Sequence, residues 1–158
     1  MSNNWACYLI YSLDSGHTYI GSSNNPERRL HDHNCTKKGA KRTRGQTWVH
    51  ILTISGFTSK NSCLSFEAGW KRCSKYRNKR KLITLSLLTD ISYSKDPKHN
   101  RIIDLIYFLH NTTLLGTHFV LDPKGNKPLL FPDLTIDVFS EVSIIDLYWP
   151  FFVTIQMI

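Results

Sequence analysis

Four residues in the first half of the sequence have side chains suited to phosphodiester hydrolysis. This reaction needs an activated water, a cation that neutralises the phosphate and, in most enzymes, a metal ion that stabilises the leaving oxygen. Tyr8 and Tyr19 are candidates for the water site, Arg29 is a candidate for the phosphate, and Glu67 is the only carboxylate between residues 33 and 89. One carboxylate, completed by waters and substrate oxygens, is enough to hold Mg²⁺.

Each of these residues also has an ordinary structural interpretation. Tyrosines in strands are mostly packing residues, arginines on a helix are mostly solvated, and glutamate is a common helix former. The residue types alone leave both interpretations open, so the elements that carry them matter.

A hairpin and a helix are predicted to carry both tyrosines and the arginine. Tyr8–Leu13 is rich in aromatic and branched residues, and Thr18–Ser22 returns after turn-forming residues at Asp14–His17, which predicts a β-hairpin. Asn25 is a suitable N-cap with a proline directly after it, so a helix should begin there and end near Asn34.

A third strand and a second helix complete the first half. The alternation in Trp48–Phe57 predicts the strand, and a helix should begin near Ser59–Ser62. Its apolar residues at helical spacing are Cys63, Phe66, Trp70 and Cys73. Glu67 lies at the margin of this apolar stripe. The predicted fold class is α/β: a small three-stranded antiparallel sheet flanked by helices, with a C-terminal α+β extension.

The positive charge is concentrated in the same half. The 158-residue chain has a formal net charge of +8. Residues 1–81 hold 15 Lys and Arg against 4 Asp and Glu, a net +11, while residues 82–158 hold 5 against 8, a net −3. A polyanionic partner is therefore expected to bind the first half. We divide the chain on this basis into domains 1–81 and 82–158.

The second half is less clearly patterned. Arg101–Leu109 predicts a helix, residues 122–126 predict a turn, and strand-like pieces occur at Leu115–Leu121, Pro128–Phe131 and Trp149–Met157. This half could cap the sheet or dock a protein partner, and its sequence leaves both open.

Cysteine usage and hydropathy predict an intracellular protein without a membrane span, in either nucleus or cytoplasm. The four cysteines have no C-x-x-C spacing and the first residues do not resemble a signal peptide, which indicates reduced thiols. No run of 18 or more apolar residues occurs. His31, His33 and Cys35 alternate on the predicted helix and so diverge, and no zinc site is expected there.

The ordered set of residues resembles the GIY-YIG nuclease family over residues 5–77. Tyr19-Ile20-Gly21 is the YIG element verbatim, Ala6-Cys7-Tyr8 is a degenerate GIY element, and Arg29 and Glu67 follow in order. The segments C-Y-L-I-Y-S, N-P-E-R-R-L, G-A-K-R-T and S-F-E-A-G-W-K are most similar to catalytic subunits of the eukaryotic nucleases that cut flaps and Holliday junctions. Those subunits carry a RING-type zinc domain after the nuclease. No cysteine follows Cys73 here, so no such domain is expected in residues 82–158.

The resemblance implies a role for each candidate residue. Tyr8 acts with Tyr19 around the nucleophilic water, with Tyr8 as general base. Because a phenol has a pKa of about 10, Mg²⁺ or the neighbouring Arg29 must lower it. Arg29 contacts the scissile phosphate, and Glu67 anchors a single Mg²⁺ or Mn²⁺. His33, four residues after Arg29, is implied to orient the arginine or the phosphate.

The resemblance also implies a surface that binds nucleic acid. A glycine in the YIG element lets the backbone approach the site closely, and the basic loop holds the DNA backbone. The residues expected on this surface are Gly21, Lys37, Lys38, Lys41, Arg42, Arg44 and Lys71.

The function expected from these residues is that of a metal-dependent DNA endonuclease selective for branched or flap DNA, in repair or recombination. Alternatives are a non-catalytic nucleic-acid-binding module of the same fold and a homing or restriction-type nuclease. A pure binding module has no need for Glu67 in a basic groove, which favours the nuclease.

Overall fold

The computed structural model describes residues 4–35, 40–77, 93–114, 119–121, 128–130, 133–139, 149–150 and 152–158. In chain order the elements are β1 (Ala6–Ser12), β2 (Thr18–Ser23), α1 (Pro26–Asn34), β3 (Trp48–Ser55), α2 (Lys60–Lys75), α3 (Pro97–Leu114), β4 (Phe119–Leu121), β5 (Pro128–Leu130), β6 (Leu134–Val138) and β7 (Val153–Met157). A short 3₁₀ turn, Lys41–Thr43, precedes β3.

The main sheet has five strands in the order β2-β1-β3-β6-β7. Neighbouring strands in this sheet pair antiparallel, except β6 and β7, which pair parallel. The strands β4 and β5 form a separate antiparallel pair. The α/β class is confirmed, and the sheet is wider than the three strands predicted, because β6 and β7 from the second half extend it beyond β3.

The predicted hairpin is present, and its register brings the two tyrosines together. Tyr8 pairs with Gly21 and Ile10 pairs with Tyr19. Tyr8 and Tyr19 are therefore diagonal neighbours on one face of the sheet, with ring centroids 6.5 Å apart. The turn between the strands contains Gly16 at a φ of 75°, a conformation that glycine adopts readily.

Both predicted helices of the first half are confirmed. The Asn25 side chain caps α1 by accepting from the backbone N–H of Arg28 at 3.1 Å. At the other end, the Asn34 amide forms two hydrogen bonds with the backbone of Trp48 and so fixes α1 against β3. Ser59 caps α2 in a reciprocal pair with Ser62.

The predicted apolar stripe of α2 faces the core. Cys63, Phe66 and Trp70 are fully buried, and Cys73 is partly buried at the edge. The same core takes buried side chains from α3 and β6, so it is continuous across residue 81. The residues from the second half are Ile102, Ile103, Leu105, Ile106, Phe108, Leu109, Leu134, Ile136, Val138 and Phe152.

The second half matches its predicted elements in part. The helix predicted at Arg101–Leu109 is present as the longer α3, and the three strand-like pieces narrow to β4, β5 and β7. The turn predicted at residues 122–126 lies outside the described residues. No described helix is long and apolar enough to cross a membrane.

The strand β6 was not predicted from the sequence, although its pattern is visible there. Leu134, Ile136 and Val138 are buried, and they alternate with the half-buried Thr135 and Asp137. By pairing with β3, this strand covers an edge that would otherwise expose unpaired backbone groups.

A buried carboxylate fastens α3 to α2. Asp104 is fully buried, and it accepts hydrogen bonds from the Arg77 guanidinium, from the Ser74 hydroxyl at 2.7 Å and from the Tyr93 hydroxyl at 3.0 Å. We call Asp104 and these three partners the Asp104 cluster. The carboxylate charge is balanced by Arg77 and its oxygens are saturated, as a buried ion requires.

Candidate active site

Tyr8 and His33 share a buried hydrogen bond at the centre of the site. Tyr8 lies in the middle of β1 and His33 near the end of α1, and both side chains are buried. The Tyr8 hydroxyl is 2.8 Å from Nε2 of His33. The histidine was expected to orient the arginine or the phosphate, whereas the structure directs both of its ring nitrogens to hydroxyl groups inside the protein.

The Thr43 hydroxyl fixes the position of the proton on His33. It donates to the carbonyl oxygen of Ala40 at 2.9 Å, so its oxygen accepts from Nδ1 of His33 at 2.8 Å. With the proton on Nδ1, Nε2 is an acceptor and the Tyr8 hydroxyl donates to it. We call this series, from Tyr8 through His33 and Thr43 to Ala40, the phenol chain.

Burial keeps both ionisable members of the phenol chain uncharged. It raises the pKa of Tyr8, and the neighbouring Tyr19 adds to this, while the hydrogen bond and charge of Arg29 act in the opposite direction. Burial also lowers the pKa of His33 to about 4, helped by the positive charge of Arg29. Arg29 therefore acts on Tyr8 in the expected direction, but the cost of burying a phenolate is larger.

Arg29 lies at the open side of the phenol chain. It follows Arg28 on α1, and the two side chains point differently: Arg28 is exposed, whereas Arg29 is half-buried and close enough to affect the pKa of Tyr8. One of its terminal nitrogens lies 3.8 Å from an oxygen of Asp32, and the guanidinium also forms a hydrogen bond with the Tyr8 side chain. Arg29 is thus positioned to meet an anion brought to the Tyr8 hydroxyl.

Glu67 reaches the same region from α2. Its Oε1 accepts from the Ser22 hydroxyl at 2.5 Å and its Oε2 from the Lys71 ammonium at 2.8 Å. The side chain is 19% exposed, so it remains accessible from solvent. Its charge is also felt by the Tyr8 phenol, which places the carboxylate near the phenol chain.

The tyrosine and the glycine of the YIG element have different structural roles. The centroid of the Tyr19 ring lies 5.0 Å from that of the His33 ring, and the Lys71 ammonium lies 5.5 Å from the Tyr19 centroid. Gly21 lies opposite Tyr8, and a Cβ atom added there would stand 2.5 Å from Cζ of the phenol. The glycine therefore makes room for the Tyr8 side chain, and its expected contact with nucleic acid stays a prediction.

The basic residues predicted to bind nucleic acid divide into two groups. Arg42 and Lys71 line one cavity with Tyr19, whereas Lys41, at the start of the 3₁₀ turn, and Arg44, directly after it, are exposed. Lys37 and Lys38 lie outside the described residues, so their role stays a prediction.

Two residues of the site were missed by sequence reasoning. Thr43 orients His33, and Ser22 holds one oxygen of Glu67. Thr43 ends the G-A-K-R-T segment, so its place in a shared motif was an available signal. Nothing in the sequence distinguishes Ser22 from its serine neighbours, because the contact spans 45 positions.

The described residues contain no group of three or more His, Cys, Asp or Glu side chains arranged to hold a metal ion. A protein-built cage is therefore not part of the described site. Any metal at Glu67 has to complete its coordination with hydroxyl groups, waters and substrate oxygens.

Comparison with known proteins agrees with the family resemblance of the sequence. Residues 4–81 match the model of the GIY-YIG catalytic domain. An uncharacterized protein of Acanthamoeba polyphaga mimivirus is 53% identical over 162 residues, which cover 99% of this chain and 98% of that protein.

Structure-specific endonuclease subunits match the first half alone. The Slx1 subunit of Talaromyces marneffei is 46% identical over 72 residues, which cover 42% of this chain and 18% of that protein. The SLX1 subunit of Vanderwaltozyma polyspora is 41% identical over 73 residues, covering 42% and 23%. The chain thus spans about a fifth of the length of these relatives.

The matched domain contains Tyr8, Tyr19, Arg29, His33 and Glu67, which the fold brings together around the buried Tyr8–His33 pair. GIY-YIG nucleases in general depend on a divalent metal, and the accessible carboxylate of Glu67 is consistent with that requirement. Residues 4–81 of this chain therefore form a domain of the GIY-YIG nuclease family.

Proposed function

We propose that this protein is a Mg²⁺-dependent DNA endonuclease that hydrolyses phosphodiester bonds in branched or flap DNA. The observation that carries the proposal is the buried hydrogen bond between Tyr8 and His33. Arg29 and Glu67 lie close enough to this pair to affect the pKa of Tyr8. A tyrosine that only packs a hairpin does not need a neutral histidine as acceptor for its proton.

The phenol chain supplies a path for one proton. A water bound at the Tyr8 oxygen gives its proton to that oxygen while the Tyr8 hydroxyl proton passes to Nε2 of His33. Tyr8 stays neutral throughout, which suits a phenol whose pKa is raised by burial. His33 becomes an imidazolium, and the anionic phosphate held by Arg29 would stabilise that charge.

Arg29 binds the scissile phosphate and stabilises the negative charge that grows on it. Its planar and permanent cation can donate two parallel hydrogen bonds to phosphate oxygens. Mutations of such donors cost about 10²–10³-fold in rate in other enzymes.

Glu67 and the Ser22 hydroxyl fit a magnesium ion. Both offer oxygen donors, and Mg²⁺ is commonly held by one or two carboxylates with waters completing its shell. When bound, the ion supplies Lewis-acid stabilisation of the phosphate and of the leaving oxygen. Mn²⁺ accepts the same oxygen donors. The Lys71 ammonium, 2.8 Å from Oε2 of Glu67, partly neutralises the carboxylate charge.

The selectivity for branched DNA is supported by the similarity to structure-specific endonuclease subunits. By the same relation we propose a role in DNA repair or recombination. The net-acidic residues 82–158 do not resemble a sequence-reading module, which favours this over a homing or restriction-type nuclease.

The proposal is tested by incubating the protein with labelled 5′-flap, Holliday-junction and linear duplex DNA, with Mg²⁺ or with EDTA. Glu67→Gln is the matched variant, because it keeps the shape of the side chain and removes its charge. Mg²⁺-dependent cutting of the branched substrates, lost in the variant, is expected. Equal DNA binding by both proteins with no cutting would replace the proposal by the non-catalytic module, and cutting of linear duplex at one sequence by the homing or restriction type.

A further inference from the structure

A cavity of about 460 Å³ lies beside the catalytic residues, between β2, the 3₁₀ turn, the last turns of α2 and the start of α3. Its wall therefore includes a part of the chain that follows residue 81, outside the matched catalytic domain. Tyr19 belongs both to this wall and to the surroundings of His33. We call it the basic cavity.

Five cationic side chains line the basic cavity: Arg42, Lys71, Lys75, Arg77 and Arg101. Two of them have carboxylate partners, Lys71 with Glu67 and Arg77 with Asp104. Within the part of the chain that the structure describes, no carboxylate lies within ion-pairing distance of the other three. The cavity thus has an excess of about three positive charges, which a polyanion would neutralise.

Arg101 is held in the wall by contacts on both sides. Its Nε donates to the Thr18 hydroxyl of β2 at 2.9 Å, and its backbone carbonyl accepts from the Trp70 indole at 2.9 Å. Burial lowers its pKa. Asp104 acts in the opposite direction, while the charges of Arg77 and Arg42 lower the pKa further. Cations gathered against mutual repulsion are stabilised when an anion binds between them.

We propose that the basic cavity is a second phosphate subsite, which binds a backbone phosphate of the DNA other than the scissile one. Arg101 of α3 and Arg42 of the 3₁₀ turn hold this phosphate from two different elements of the cavity wall, and Lys75 adds charge. Guanidinium groups bind phosphates through paired hydrogen bonds. The second half of the chain then contributes directly to substrate binding, in addition to extending the sheet. This subsite rests on the proposed function, because it requires a nucleic-acid substrate.

The test measures binding of a fluorescein-labelled 5′-flap DNA by anisotropy in EDTA over a series of salt concentrations. Each phosphate contact contributes about one unit to the slope of log affinity against log salt. Arg101→Gln and Arg42→Gln are each expected to reduce the slope by about one unit. Lys98→Gln is the matched control, since Lys98 also lies on α3 but packs on the Tyr11 ring and pairs with Asp96.

The subsite would be overturned if the salt slopes of Arg101→Gln and Arg42→Gln both equalled that of Lys98→Gln. Arg42 is exposed on its turn, so its variant decides the question even if Arg101→Gln fails to fold. A parallel cleavage assay in Mg²⁺ separates the two proposals. If the variants reduce the salt slope but the wild type does not cleave, the nuclease activity is overturned and the subsite stands. If the wild type cleaves but the slopes are unchanged, the subsite is overturned and the nuclease activity stands.

Discussion

The phenol chain and the Asp104 cluster are both buried sets of hydrogen-bonded polar groups, but they differ in charge and in what remains accessible. In the phenol chain every member is neutral, the bonds run in series, and the Tyr8 oxygen faces Arg29. In the Asp104 cluster one full charge is buried, and three donor residues converge on it. The phenol chain can move a proton without creating a phenolate. In the Asp104 cluster, both carboxylate oxygens already accept hydrogen bonds from the protein.

This difference suggests a division of labour between the phenol chain and the Asp104 cluster. A neutral series contributes little net stability, because its hydrogen bonds replace others made with water. A buried ion pair, once formed, is costly to break from one side. Changes in the phenol chain should therefore lower the cleavage rate, and changes in the Asp104 cluster should lower the free energy of unfolding.

The largest expected effect is on the rate. Tyr8→Phe removes the hydroxyl that relays the proton, and we expect cleavage to fall by about 10³-fold, within the range for general acid–base groups. Tyr11→Phe is the matched control, since Tyr11 is on the same strand but packs against the core and Lys98. Single-turnover cleavage of 5′-flap DNA measures both, and equal rates for the two variants would remove Tyr8 from the mechanism.

The next effect is on stability. Asp104→Asn removes the charge that Arg77 neutralises, and the free energy of unfolding should fall by about 3 kcal/mol. Asp96→Asn provides the comparison, because Asp96 pairs with Lys98 at 3.6 Å on the surface, where such pairs contribute less than about 1 kcal/mol. Urea unfolding followed by tryptophan fluorescence gives both values. Similar losses in the two variants would contradict the role given to the Asp104 cluster.

The pH dependence of stability should identify His33. Its folded pKa of about 4 lies below the ordinary 6.5, so the unfolded chain binds the proton more readily. The stabilisation is fully present above pH 6.5 and is lost as the pH falls from there towards 4. Between pH 7.5 and 5 this should amount to about 2 kcal/mol.

His33→Gln should flatten that part of the stability profile, and urea unfolding at several pH values in both proteins isolates its contribution from that of other groups. Parallel profiles for the two proteins would show that His33 is protonated as easily in the folded chain as in the unfolded one.

The smallest effect concerns Thr43. Thr43→Val removes the acceptor for Nδ1 of His33, so the proton of the neutral ring is no longer held on Nδ1. We expect kcat to fall by about 10-fold, which is about 1.4 kcal/mol, with KM little changed. Thr43→Ser keeps the hydroxyl and should restore the rate. If serine and valine gave the same kcat, the effect would be one of packing.

Much of the catalytic half could be predicted because its signals are local. The hairpin turn, the Asn25 cap and the apolar stripe of α2 each depend on residues a few positions apart. The Tyr8–Tyr19 pair then follows from the hairpin register.

The features missed from the sequence depend on distant contacts. The strand β6 pairs with β3 from about 80 positions away, and its five residues were too short a pattern to stand out. The partner of His33 was assigned from helical spacing, but α1 turns that side chain inward, where burial and hydrogen bonding decide. Arg101 was assigned to a helix in an acidic half, and only the packing of α3 brings it to the basic cavity.

The central claim is that a neutral His33 accepts the proton of Tyr8 in a phosphodiester-cleaving site. Nitrogen NMR of His33 in the full chain at pH 7 tests it most directly. The account predicts a neutral ring protonated on Nδ1, with Nε2 unprotonated and hydrogen-bonded. An imidazolium, or a ring protonated on Nε2, would contradict it, because neither can take a proton from Tyr8.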